Sequence, residues 1–356
     1  MISLREFPRR ALSKVANAIL NWLVKLTTGG RPTSIDEVWW AYSDIHILRL
    51  NVKNFGYQLA RELAPGLSRI DTLGEPAVRN LISKPTTQAD VESTWFAHWC
   101  KELQAAPIYH RKLWEFAFAL QTLFDAGLLR AGTRGIGFGC GEEPLASYFA
   151  RQGMDVTVSD LDIDKVAGMG WIETGQHAKS IELAFHPHIV TRELFDRHVR
   201  HAFVDMNDIP RFSEKFDFCW SICALEHLGS IEKGLAFIEN SLDALKPGGL
   251  AVHTTEFNYL EGHGTVDNWP TVLFQRKHFE ALRDRLARCG HTLLGPDFDV
   301  GSGPIDRFID VPPYSIGQGW LNKETWGSVN QGAHLKLSVG GYPCTCYGLL
   351  VRKASA

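Results

Sequence analysis

Four carboxylates and a histidine stand where short apolar runs of this chain give way to polar residues. They are Asp160 after VTVS, Asp205 after AFV, Glu226 and His227 shortly after FDFCWSI, and Glu256 after LAVHTT. Residues at such junctions lie at the ends of strands, where ligands bind in open α/β sheets. Imidazole titrates near neutrality, so His227 is the first candidate for a base that takes a proton from an acceptor. Glu226 would orient it or bind substrate, and Glu256 would point into the same crevice. His253 sits inside an apolar run and is expected to be buried and hydrogen-bonded.

The stretch RGIGFGCGEEPLASYFARQGMDVTVSD at 134–160 sets one of these acids in context. It reads as a strand, a glycine turn, a helix and a second strand ending in Asp160. Gly139 and Gly141, with Cys140 between them, let backbone N–H groups and a helix N-terminus face a polar ligand. Asp160 and the adjoining Leu161 follow about 21 residues later, the distance at which a carboxylate meets ribose hydroxyls. Together these form half of a nucleoside-binding site.

The elements that must hold these residues divide at Gly132. Residues 1–130 read as largely helical, and 131–356 alternate strand-length apolar runs at 135–138, 154–159, 202–204, 216–220 and 249–254 with helical patterns. A helix over 276–289, a strand in HTLLG and a last strand in YPCTCYGLLVRK follow. This alternation predicts βαβ units and a parallel sheet covered on both faces. Residues 297–340 hold many glycines and prolines without periodicity, the pattern of a long late loop. Trp269, Tyr314, Trp320 and Trp326 would give that region a stacking surface or seal it as a lid.

Composition excludes several classes. Lysine plus arginine number 37 against 40 acids, a formal net charge of −3, which disfavours a nucleic-acid partner. Seven cysteines lack the paired spacings of a zinc site, and the histidines at 177, 186, 188, 198 and 201 supply no recognisable ligand set, so no metal is expected. Reduced, buried thiols in a cytoplasm fit this usage. No apolar run approaches the roughly 20 residues that span a bilayer. Residues 9–26 carry an apolar stripe with basic residues on other faces; it packs on protein or a second subunit, or lies peripherally on an anionic membrane.

The later segments VDMNDIP, KFDFCWSICALEHL and LKPGGLAVHTTE, in this order after the glycine turn, resemble the motifs of class I S-adenosylmethionine-dependent methyltransferases. The resemblance implies a Rossmann-like fold with a seven-stranded, mostly parallel sheet whose last strand is antiparallel, and S-adenosylmethionine as cofactor. It implies adenine contacts from Asp205 and Met206, with Ser221 and Ile222 beside the methyl donor. Helices before the first strand often close over the cofactor in this family, so His110, Arg111 and Lys112 are expected to contact its carboxylate or the acceptor; otherwise they form a solvated helix face.

A narrower resemblance reaches both flanks, through TQADVESTWFAHWCKEL, YHRKLWEF, TGQHA and HLKLSVGGY. It looks like a bacterial branch associated with glycan and surface-polysaccharide biosynthesis. The expected reaction is methyl transfer to an oxygen of a sugar or glycan intermediate. Other small natural products or lipid-linked molecules are the alternative acceptors, and a non-catalytic cofactor-binding subunit is the rival outside enzymes. Two departures stand out. Gly137 occupies the place of the family's acid, and Glu143 that of its third glycine. Glu143 either replaces that acid or favours the helix N-terminus through the dipole.

Overall fold

The computed structural model describes residues 35–161, 181–312, 314 and 333–355, together with 18, 19 and 22. Two units divide the chain, Met1–Phe55 and Gly56–Ala356. What is described of the first unit is helical. The amphipathic segment at 9–26, apart from three of its residues, TGQHA, Trp320 and Trp326 all lie outside the described residues.

The second unit is built on a sheet whose strands are β1 (Lys84–Pro85), β2 (Arg134–Phe138), β3 (Asp155–Asp160), β4 (Val199–Phe203), β5 (Phe216–Ile222), β6 (Leu245–Asn258), β7 (Thr292–Leu293), β8 (Ile309–Asp310), β9 (Lys336–Val339) and β10 (Tyr342–Arg352). Their order is β4-β3-β2-β5-β6-β10-β9-β8, with β1 and β7 also paired to β10. Strands β2 to β6 pair in parallel, and β10 runs antiparallel to β6. The seven strands expected from the sequence are β2 to β7 and β10, and β1, β8 and β9 extend them. The strand order turns back between β2 and β5, which opens a crevice at their carboxyl ends.

The helices are α1 (Ile35–Leu67), α2 (Gln88–Val91), α3 (Thr94–Glu102), α4 (Arg111–Asp125), α5 (Leu145–Arg151), α6 (Arg192–His198), α7 (Ile231–Ser241) and α8 (Arg276–Arg288). Hydroxyl caps open several of them. Ser93, Thr191 and Ser230 each accept from a backbone N–H in the first turn of α3, α6 and α7. No helix among the described residues is long and apolar enough to cross a membrane.

Side chains alternate across a strand, and this alternation sorts the core into two layers. Phe218, Trp220 and Ile222 of β5 join Trp114 and Phe118 of α4 and Phe149 of α5 on one face. Ile136, Phe138 and Cys219 join Ile238 of α7 and Phe279 of α8 on the other. On the α4 face β2 offers only glycine. A Cβ at position 135 would lie 2.3 Å from the Phe218 ring, and one at 137 would lie 2.4 Å from the Trp220 indole. The GIG pattern therefore makes room for two stacked rings, 5.7 Å apart. Burial of such a ring stabilises the fold by roughly 2–3 kcal/mol.

Candidate active site

The groove at the carboxyl ends of β2, β3 and β5 has two compartments. The larger, of about 440 Å³, is lined by Gly139, Asp160, Leu161, Asp205, Met206, His227 and others. The smaller, of about 250 Å³, includes Lys112, Cys140, Gly141, Glu143 and Ile222. Gly139 and Cys223 belong to both walls. These volumes suit a small molecule of nucleoside size and upwards.

The strands place the acids of the larger compartment. Asp160 ends β3 and caps the N–H of Leu161 at 2.9 Å, while Asp205 follows β4 and accepts from the Asn207 N–H at 2.8 Å. Gly139 adopts φ +62, which glycine tolerates without strain. A Cβ there would stand 2.8 Å from that of Ala224 and 3.3 Å from the Met206 sulfur, filling the narrows between the compartments. A bare backbone is what a slender ligand crossing this point requires, so the residues present fit a nucleoside joined to an amino-acid tail.

Glu143 explains the altered glycine turn. Trp220 covers Gly137, leaving no space for an acid, and its Nε1 donates to Glu143 at 3.0 Å. The carboxyl thus enters from the helix side of the turn. Burial pushes its pKa well up, against the Lys112 charge and the Trp220 hydrogen bond.

His227 follows β5 in a short 3₁₀ turn, Leu225–His227. Its Nδ1 lies 3.0 Å from the Pro270 carbonyl oxygen and 3.2 Å from the Thr271 hydroxyl; a neutral ring that donates from Nδ1 to that carbonyl would carry its lone pair at Nε2. Nε2 is 4.0 Å from the Glu226 carboxylate. Glu226 is buried, takes the Thr255 hydroxyl at 3.1 Å, and has its pKa raised by that burial.

Other expected residues take different positions. Ser221 is fully buried and bonds His253 Nδ1 at 2.8 Å. One residue out of phase with Ile222, it faces the α7 layer and does not line the groove. His253 also meets Ser241 at 3.3 Å, as a buried histidine should. His110 caps α4 by accepting from the Lys112 N–H at 3.1 Å, and its ring packs 4.9 Å from that of His334. The Arg111 guanidinium is held by Glu256 in an ion pair buried under α4. Burial pushes the Glu256 carboxyl up, but the charge and hydrogen bond of Arg111 and a bond from Cys344 hold it below the usual range. Of the three basic residues only Lys112 lines a compartment, and it lies 3.3 Å from Glu115.

Sequence reasoning passed over Trp220 as a site residue, and took Cys223 for an inert thiol. The two glycines facing two aromatics were the signal for Trp220. Cys223 left none, since only its backbone, at φ +48, marks it out. His334, with Nδ1 2.8 Å from buried Asp310, likewise comes from distant sequence.

A family model described as a methyltransferase domain matches residues 109–293, just over half of the chain. The chain belongs to this methyltransferase family. No curated protein matches the methyltransferase. Among solved structures it is similar to a provisionally assigned sarcosine dimethylglycine methyltransferase from Galdieria sulphuraria, at 16% identity and a TM-score of 0.41, covering 80% of this chain and 96% of that one. It is also similar to the [4+2]-cyclase SpnF, at 18% identity and a TM-score of 0.40, covering 85% and 97%. The phosphoethanolamine N-methyltransferase 2 of Haemonchus contortus, in complex with S-adenosyl-L-methionine, shares 15% identity at a TM-score of 0.40, covering 75% of this methyltransferase and 57% of that chain.

Proposed function

We propose that this methyltransferase transfers a methyl group from S-adenosylmethionine to a hydroxyl oxygen of a sugar or glycan intermediate. The observation that carries the oxygen acceptor is His227, which lines the same groove as Asp160 and Asp205 and whose Nδ1 sits against the Pro270 carbonyl, an arrangement in which Nε2 of the neutral ring is the basic atom. A hydroxyl must lose its proton as it is methylated, and a base of this kind contributes about 10²- to 10⁴-fold. When bound, S-adenosylmethionine supplies an electrophilic methyl group on a sulfonium centre.

The chain's residues divide the remaining work. Asp160 accepts from ribose hydroxyls, with Leu161 against the sugar, and Asp205 and Met206 hold the adenine. The turn from Gly139 through Cys140 to Gly141 passes the ligand between compartments. Lys112 attracts the carboxylate of the amino-acid tail, Glu143 its ammonium group, and Ile222 packs beside it. His227 takes the acceptor proton at Nε2, and Glu226, 4.0 Å away, stabilises the imidazolium that forms. Glu256 acts indirectly, through Arg111. Trp269, exposed and adjoining the groove residue Pro270, offers a flat apolar face to a sugar ring.

The test offers the protein S-adenosylmethionine with a panel of nucleotide-activated and lipid-linked sugars, hydroxylated natural products and primary amines. Mass spectrometry of the acceptors and release of S-adenosylhomocysteine are followed together. Methylated sugar hydroxyls are expected; transfer confined to amines would overturn the oxygen acceptor while leaving the cofactor assignment intact.

A further inference from the structure

Glu115 of α4, Cys223 after β5 and Cys346 of β10 converge beneath the groove, with the two sulfurs and a Glu115 carboxylate oxygen all within 4.8 Å of one another. We infer that these three residues form a binding site for one thiophilic divalent cation, zinc above all, with its fourth coordination position turned to the groove that Cys223 lines. This site stands independently of the acceptor proposed above.

The geometry suits a metal and not a disulfide. Zinc holds sulfur at about 2.3 Å and oxygen at about 2.0–2.2 Å in a tetrahedron, which sets ligand atoms roughly 3.5–3.8 Å apart. Small side-chain movements bring the three groups to that spacing. Strand β6 lies between the strands of Cys223 and Cys346, so two inter-strand spacings put their backbones roughly 9–10 Å apart. A disulfide needs Cα atoms within about 7 Å.

Two further observations point to a missing ligand. Glu115 is fully buried, yet its Oε1 has no hydrogen-bond partner, while Oε2 takes the Thr254 hydroxyl at 2.7 Å and Lys112 at 3.3 Å. Leaving a buried carboxylate oxygen unpaired is costly, and a cation removes that cost. Cys223 is also held at φ +48, in a region non-glycine residues rarely adopt and which recurs at functional sites.

Charge agrees. Two thiolates and one carboxylate beside Lys112 leave two negative charges, which one dication cancels. Two sulfur ligands of three select zinc over magnesium or calcium. A second grouping of Cys223, Glu226 and Glu256 is less apt, because Arg111 and Cys344 already occupy Glu256 and Thr255 bonds Glu226. Binding releases the thiol protons, so affinity rises with pH.

The test uses the full chain, stripped with a chelator and titrated with zinc and with cobalt as a spectroscopic probe. One equivalent is expected, with thiolate-to-cobalt charge-transfer absorption. Cys346→Ser and Glu115→Gln should each weaken zinc by more than about 100-fold, since even an outer partner is worth about 10- to 100-fold. Cys219→Ser, on the opposite face of the sheet, should leave it unchanged. Circular dichroism and calorimetric titration with S-adenosylmethionine establish that each protein is folded. Absence of stoichiometric binding by folded protein, a cobalt spectrum without thiolate bands, or unaltered affinity in both ligand variants would each overturn the site, without bearing on methyl transfer.

Discussion

The Trp220 indole donates its hydrogen bond to the Glu143 carboxylate across the space that a side chain at position 137 would need. The acid customary in this turn and the indole are therefore mutually exclusive. Gly137→Asp should lower stability by about 1–3 kcal/mol, the usual cost of overpacking, and weaken S-adenosylmethionine binding. Urea unfolding and calorimetry check both; a variant as stable as the parent would show that the indole can move aside.

Trp220→Phe keeps the ring and removes the donor. Burial already raises the Glu143 pKa, and without its partner the carboxyl will hold its proton to still higher pH. Cofactor affinity should fall by about tenfold, equivalent to about 1.4 kcal/mol. Unchanged affinity at neutral pH would remove Glu143 from the amino-acid end of the site.

His227→Asn retains polarity but lacks the basic Nε2. Turnover should fall by about 10²- to 10⁴-fold while cofactor affinity stays within about twofold. Full turnover across neutral pH would reassign the base.

Arg111→Met strands the buried Glu256 carboxylate. Breaking one side of such a pair costs about 3–5 kcal/mol, and replacing both partners costs much less. Arg111→Met with Glu256→Gln should thus recover much of the loss in denaturant unfolding. Additive effects in the double variant would show that the two side chains are not energetically coupled.

His253 makes stability depend on acid. Burial lowers its pKa from 6.5 to about 3, so between these values the unfolded chain binds a proton that the folded protein refuses. The contribution is nil above pH 6.5, and stability falls as pH drops from there towards 3, by at most roughly 4–5 kcal/mol from this group. His253→Asn should therefore lose less stability than the parent between pH 7 and pH 4.5. Parallel pH profiles of the two melting temperatures would count against it.

The sheet and the larger compartment were legible because they rest on local signals. Apolar runs, a glycine turn and acids at strand ends each show within a few residues, and Gly139, Asp160 and Asp205 line one wall as their spacing implies. What escaped depends on strand pairing. Nothing near Cys223 announces Cys346, which reaches it only because β10 enters the sheet beside β6. Ser221 was misplaced by a single residue, since a period of two sends neighbours to opposite faces. The resemblance implied ligand contacts from His110 and Arg111, but one is needed as a helix cap and the other to neutralise Glu256.

Strand β10 pairs along one edge with β6 and along the other with β9, β1 and β7 in succession. Apart from β10, every strand of the sheet is synthesised before it, so on the ribosome β6 waits with a bare edge for the last partner to emerge. Unpaired edges of this kind recruit other chains. Losing residues 342–352 would then do more than weaken the protein: it would leave a nascent chain prone to self-association, and this span is the one that expression and tagging strategies should leave undisturbed.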